Sequence, residues 1–299
     1  MKAYLWMLFG TFNFATMGAL SHSLALGRSD WRLVALARAA LMLLFAVPIA
    51  MAAGAKLTLR GCPTLWVRSI SGSVGLLGMF YTLTHLHISE SITLLNLTPI
   101  WVAILSWAYF RERPALKVCL AIAVGAVGVV LIARPHFDQA RVALVVGGLS
   151  SICTAVAVLS LTRVGHLDAH AVVVHFSAVA TATTAVYFLA SGQGLAQAIP
   201  TGAPDILKLL GVGLTGTVGQ IALTRAFAQG DASRVSIVGL TQLLFAVGYD
   251  RLIWDREYTA GTLAGMVLVA APTAWLLTRP RATPGSASPP APGAPAALP

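Results

Sequence analysis

Setting aside a proline-rich tail, ten stretches of this 299-residue chain, each at least 15 residues long, contain no Asp, Glu, Lys or Arg. They are residues 3–27, 39–55, 69–89, 91–110, 118–133, 142–162, 169–204, 209–224, 235–249 and 258–278. A bilayer core takes roughly 20 apolar residues in helical form to cross, and slightly fewer where flanking charges snorkel. Within lipid every backbone N–H and C=O needs an internal partner, which favours helices. The pattern predicts an all-α polytopic membrane protein with ten transmembrane helices.

Composition narrows the function classes. Charged residues make up 10% of the chain, against about 25% in a soluble domain. Hydrophobic residues make up 57%. A net charge of +10 would suggest nucleic acid in a soluble protein. Here the basic residues flank the spans, where they set topology beside anionic headgroups, and no nucleic-acid partner is expected. Cys62, Cys119 and Cys153 are scattered and form no CxxC, so neither a disulfide framework nor a metal site follows. No cofactor is expected. The first span begins almost at Met1 and is followed by polar and charged residues rather than a cleavage site. It is expected to act as a signal anchor.

The expected spans are 3–26, 34–53, 64–85, 90–110, 115–133, 142–162, 169–190, 205–228, 233–253 and 258–278. The connections are too short for a soluble domain. Residues 280–299, rich in Pro, Ala, Gly and Ser, are expected to be a disordered tail.

The chain repeats itself. Gly72, Gly75 and Gly78 recur as Gly213, Gly216 and Gly219, an offset of 141, which also pairs Glu90 with Asp231. Arg111-Glu112 matches Arg256-Glu257, and Arg134-Pro135 matches Arg279-Pro280, at an offset of 145. Residues 1–141 and 142–279 thus form two five-helix units. Five is odd, so tandem copies insert in opposite orientations. Inverted repeats are a signature of secondary transporters, which hold substrate near the midplane between the copies. With a cytoplasmic N-terminus, 12 basic residues fall on the cytoplasmic side, Arg68 among them, and 8 on the other. The bias favours both termini inside.

Several segments carry a likeness in combination. Tyr81, then SESITLLNLTPIW (89–101) and FRERP (110–114), combine a small-residue turn, an apolar helix with a mid-span proline, Pro99, and a Glu-Arg pair. GDASRVSIVGLTQ (230–242) and WDREY (254–258) repeat the arrangement, and Ala37-Arg38 stands early in span two. In these features the chain resembles the drug/metabolite transporter superfamily, in its EamA branch. The likeness covers residues 3–279. It implies a ten-helix inverted-repeat carrier, often an exporter of small metabolites or amino acids. At the 145 offset Pro99 maps to Leu244, with no proline at Val247 either, so a proline-driven helix break is expected in the first copy only.

Polar side chains at mid-membrane face a cavity or another helix. Asn13, Asn96, Gln220 and Gln242 are such residues. The 145 offset maps Asn96 to Thr241, beside Gln242. An uncharged amide both donates and accepts, which suits a zwitterion or polar metabolite. The same amides can instead bond neighbouring helices. Tyr81 and Trp101 could wall a cavity, or anchor span ends at the interface. Arg38 either snorkels, pairs with a helix end or attracts an anionic group. His175 either makes a structural hydrogen bond or couples transport to protons. Glu112 and Glu257, beside arginines, suit structural ion pairs at span ends. Gly261 and Gly265 suit packing within the protomer or a homodimer contact.

The expected function is secondary transport, with export of a small metabolite such as an amino acid or amphipathic compound across a bacterial inner membrane by alternating access. Its partners are that solute and the lipid bilayer. An intramembrane enzyme or a non-catalytic scaffold is the alternative. The chain has neither HExxH nor GxSxG, and no acidic residue lies deep in a span.

Overall fold

The computed structural model describes residues 1–26, 30–56, 62–86, 94–110, 115–133, 141–192, 202–255 and 257–278. The described residues form eleven helices and no strand. In chain order they are α1 (Lys2–Leu26), α2 (Trp31–Ala52), α3 (Pro63–His85), α4 (Thr98–Phe110), α5 (Leu116–Ala133), α6 (Arg141–Arg163), α7 (Ala169–Ala190), α8 (Ala203–Gln229), α9 (Ala232–Gly239), α10 (Thr241–Trp254) and α11 (Ala260–Thr278). This is the polytopic all-α architecture that the charge pattern predicts. The expected span nine is α9 and α10 end to end.

Among the described residues, five segments are long and apolar enough to cross a membrane by length and composition: α2, α6, α7, α8 and α9–α10 taken together. Helices α4, α5 and α11 are apolar but shorter in the part that qualifies. Helices α1 and α3 have the length but carry more polar residues. Thr11 and Asn13 on α1, and Arg68, Ser69, Ser73 and Thr82 on α3, are all buried. Their polarity is turned inward, where protein can satisfy it.

Helix starts use local chemistry. The Asp30 carboxylate accepts from Arg32 N at 2.7 Å and starts α2; Asp168 accepts from His170 N at 2.7 Å and starts α7. Asp231 accepts from Arg234 N at 2.9 Å and starts α9. These caps satisfy amides that have no helical partner.

The packing partners exchange between the two halves. Helix α1 packs on α8, and α6 packs on α3. Helix α2 also meets α8, as α7 meets α3, while α2 pairs with α7 and α5 with α11. Glycines set the close approaches. A Cβ on Gly10 would stand 3.3 Å from the Gly219 carbonyl oxygen, and one on Gly219 would stand 3.3 Å from that of Gly10. On the other pair, Ser150 Oγ donates to the Gly75 carbonyl at 2.6 Å. Gly265 faces Gly128 of the same protomer, so this glycine of the last span is used within the chain.

Candidate functional site

Two spans, one in each half of the chain, contain a break. Asn96 and Leu97 form a turn immediately before α4, and Leu240 interrupts the span between α9 and α10. The short-range hydrogen bonds match. Leu97 N donates to Leu94 O and Ile100 N to Leu97 O; Leu240 N donates to Ile237 O and Leu243 N to Leu240 O. Thr98 Oγ1 donates to Leu95 O at 2.8 Å, and Thr241 Oγ1 to Val238 O at 2.7 Å. Every one of these pairs is related by an offset of 143.

This corrects two expectations. The break is not confined to the copy that has proline. Asn96 corresponds to Gly239 rather than Thr241, and Pro99 to Gln242 rather than Leu244. The threonines explain why. A threonine hydroxyl bonded back to a carbonyl of the preceding turn competes with the helical ladder and bends it. In the first copy Pro99 also lacks the N–H that would have reached Leu95 O. In the second copy Gly239, a poor helix former, stands at the end of α9.

The helices that flank the two breaks pack together. Helix α4 packs against α9, with Val102 and Ala103 sharing one apolar cluster with Val235, Ile237 and Val238. Thr241 is also tied to α1, its Oγ1 3.1 Å from that of Thr11. Further along, Thr16 Oγ1 lies 2.6 Å from the Tyr249 hydroxyl. Phe12 meets Phe245 edge to face at 5.5 Å.

The amides divide. Asn96 and Gln242 are half-buried and flank the breaks. Asn13 is buried, and its Nδ2 donates to Phe9 O at 2.8 Å, a bond within its own helix. Gln220 is buried on α8. Trp101 packs against the apolar cluster and keeps Nε1 buried without a partner among the described residues. Tyr81 stacks on His85 at 4.0 Å, one turn later on α3, where His85 is exposed. Glu257 is exposed. Glu112, the tail 280–299 and Arg256 lie outside the described residues.

A second cluster surrounds His175. The ring is 2% exposed and shares a hydrogen bond between Nδ1 and Ser69 Oγ, 2.7 Å apart. Trp66 meets it edge-on at 4.7 Å. Next to Ser69, Arg68 is 2% exposed and lies over the Phe176 ring, 4.2 Å from its centroid. Arg38 is 6% exposed, and a Cβ on Gly216 would stand 3.8 Å from its Nε. Neither arginine snorkels. Arg68 therefore does not belong with the basic residues of the cytoplasmic face, where a count along the chain puts it. The signal in the sequence is Gly72, one turn later. A Cβ there would stand 2.5 Å from the Arg68 guanidinium, so the missing side chain makes room for the arginine.

The EamA-like transporter family model matches residues 1–134. The chain is 30% identical over 221 residues to the pseudopaline exporter of Pseudomonas aeruginosa, covering 73% of this chain and 75% of that protein. The chain belongs to the EamA-like transporter family. It is a multi-pass membrane transporter. It is also 26% identical to a probable transport protein of Saccharomyces cerevisiae, covering 71% of this chain and 67% of that one. It is 22% identical to mouse solute carrier family 35 member G1, covering 70% and 60%. One crystal structure superposes with a TM-score of 0.71 over 90% of this chain and 96% of its own, at 15% identity. That likeness is one of fold.

Proposed function

We propose that this chain is a secondary carrier that exports a small polar or amphipathic metabolite by alternating access, with residues 1–141 and 142–279 acting as inverted five-helix repeats. In a bacterial cell it would sit in the inner membrane. The observation that carries this reading is the pair of broken spans, one from each half, whose helices α4 and α9 pack together. Broken helices free backbone groups at mid-membrane, where carriers hold substrate. The exchanged packing partners support two halves that can rock against each other. The exporter among the relatives supports the direction.

Orientation has a direct test. Single cysteines at Ser29 and Pro114, in a background lacking the native ones, should label from opposite sides of the membrane, with Pro114 reached from the cytoplasm. Labelling of both from one side would overturn the inverted arrangement. Without Arg68 and Arg38, the basic count of 12 to 8 becomes 11 to 7, so the bias stands.

Coupling follows from the same inventory. Among the described residues no carboxylate is buried within a span. His175 is enclosed by Ser69 and Trp66, next to a buried arginine. An ion gradient drives a solute uphill only through a group that binds the ion during the cycle. Flux in proteoliposomes should therefore follow the solute gradient and persist without a pH gradient or voltage. Uphill accumulation driven by protons alone would contradict this, and its loss in His175→Ala would make the histidine the coupling residue.

A further inference from the structure

Arg38 and Arg68 are the two charged side chains buried among the described residues. Neither makes a hydrogen bond or ion pair there, and the Nε of each is buried without a partner. The described carboxylates are engaged elsewhere or exposed. Asp30, Asp168 and Asp231 cap helices. Asp205 pairs with Lys208 at 3.0 Å and Asp255 with Arg251 at 2.7 Å. Asp250 sits in the last turn of α10, and Glu257 is exposed. Glu90, Glu112 and Asp138 lie outside the described residues. Burying a cation without a counter-charge is costly, and the Phe176 ring offsets only part of that cost for Arg68. Charges kept inside a membrane at such a cost serve function.

We infer that the transported solute is an anion bearing carboxylate or a similar oxyanion, and that Arg38 and Arg68 are its contacts. The inference rests on the carrier reading above. Arg38 stands in the second turn of α2 and Arg68 in the second turn of α3. Arg38 lies against Gly216, midway along α8, and Arg68 lies over Phe176 in the first half of α7. Both cations stand between helices inside the bundle, where a carrier holds its solute. A guanidinium presents a planar fork that matches an oxyanion. With no adjacent carboxylate among the described residues, the fork is left for the solute.

The test uses the purified full chain, with citrate, succinate and glutamate as probes, and with glucose and choline as neutral and cationic controls. The anions should raise the unfolding temperature and the controls should not. Arg68→Gln and Arg38→Gln should each weaken that response about tenfold or more, while Arg68→Lys retains part of it. Without solute, both Gln variants should be at least as stable as the parent, because an uncompensated buried charge has been removed. A Gln variant that loses its fold would mean a structurally paired arginine and would overturn the inference. Equal stabilisation by glucose or choline would do the same. Stabilisation by phosphatidylglycerol but by none of the soluble anions would assign the arginines to a lipid headgroup and also overturn it. Carriage of a neutral or cationic solute at equal rates by parent and variants would sink the anion inference and leave the carrier reading intact. Anion-dependent stabilisation with no flux of any probe would do the reverse.

Discussion

Gly128→Leu is expected to cause the largest loss of stability of any single substitution between α5 and α11. A Cβ at this position would stand 2.7 Å from the Gly265 carbonyl oxygen, 2.9 Å from Val269 Cγ2 and 3.0 Å from Leu268 Cβ. The contact is reciprocal, since a Cβ on Gly265 would stand 2.7 Å from the Gly128 carbonyl oxygen. Backbone cannot swing aside, so a leucine must push the two helices apart. Overpacking costs about 1–3 kcal/mol where side chains can adjust, and more where they cannot. Gly125→Leu provides the comparison on the same helix. A Cβ there would meet only Leu240 Cδ1, at 2.6 Å, the far end of a flexible side chain. Thermal unfolding in detergent should rank Gly128→Leu well below Gly125→Leu, and Gly125→Leu close to the parent. The opposite ranking would mean that α5 and α11 do not approach through this glycine pair.

Asn96→Ala and Gln242→Ala should each slow transport about tenfold, equivalent to ~1.4 kcal/mol of lost interaction. Both amides stand at helix breaks and are half-buried. Each can give and take a hydrogen bond, so neither traps a polar solute through one fixed polarity. Being outside the packed core, they should be dispensable for insertion and folding. Asn13→Ala should behave differently, because that amide already bonds Phe9 O within its own helix. Val127→Ala, at a position 54% exposed on α5, serves as the control. Proteoliposome flux measured at matched protein content separates these outcomes. Unchanged flux in both Asn96→Ala and Gln242→Ala would move the solute site away from the breaks.

The fold class was legible because lipid imposes one rule on every residue. A helix must hide its own backbone, and charge is excluded from the core. The spans expected around the charge-free stretches fall within a few residues of most described helices, for example 64–85 against Pro63–His85. The recurring glycines were legible too, because glycine at close approaches is hard to replace. Gly75 and Gly216, and Gly78 and Gly219, sit at helix contacts in both halves.

What the sequence left open concerns which way a side chain points and what lies across from it. Arg68 looks like an interfacial cation when charges are counted along the chain. It is buried because α7 brings Phe176 over it and Gly72 leaves space beneath. The break in the second copy escapes a search for proline because a threonine hydroxyl can also disrupt the helical ladder, and Thr241 gains a partner in Thr11, 230 residues away in the chain. Local chemistry determined where helices start, how long they run and which positions must be small. Only tertiary packing decided which polar groups found partners inside the bundle and which, like the two arginines, were left without one among the described residues, because a hydrogen bond or an ion pair depends on the position of an atom from another helix.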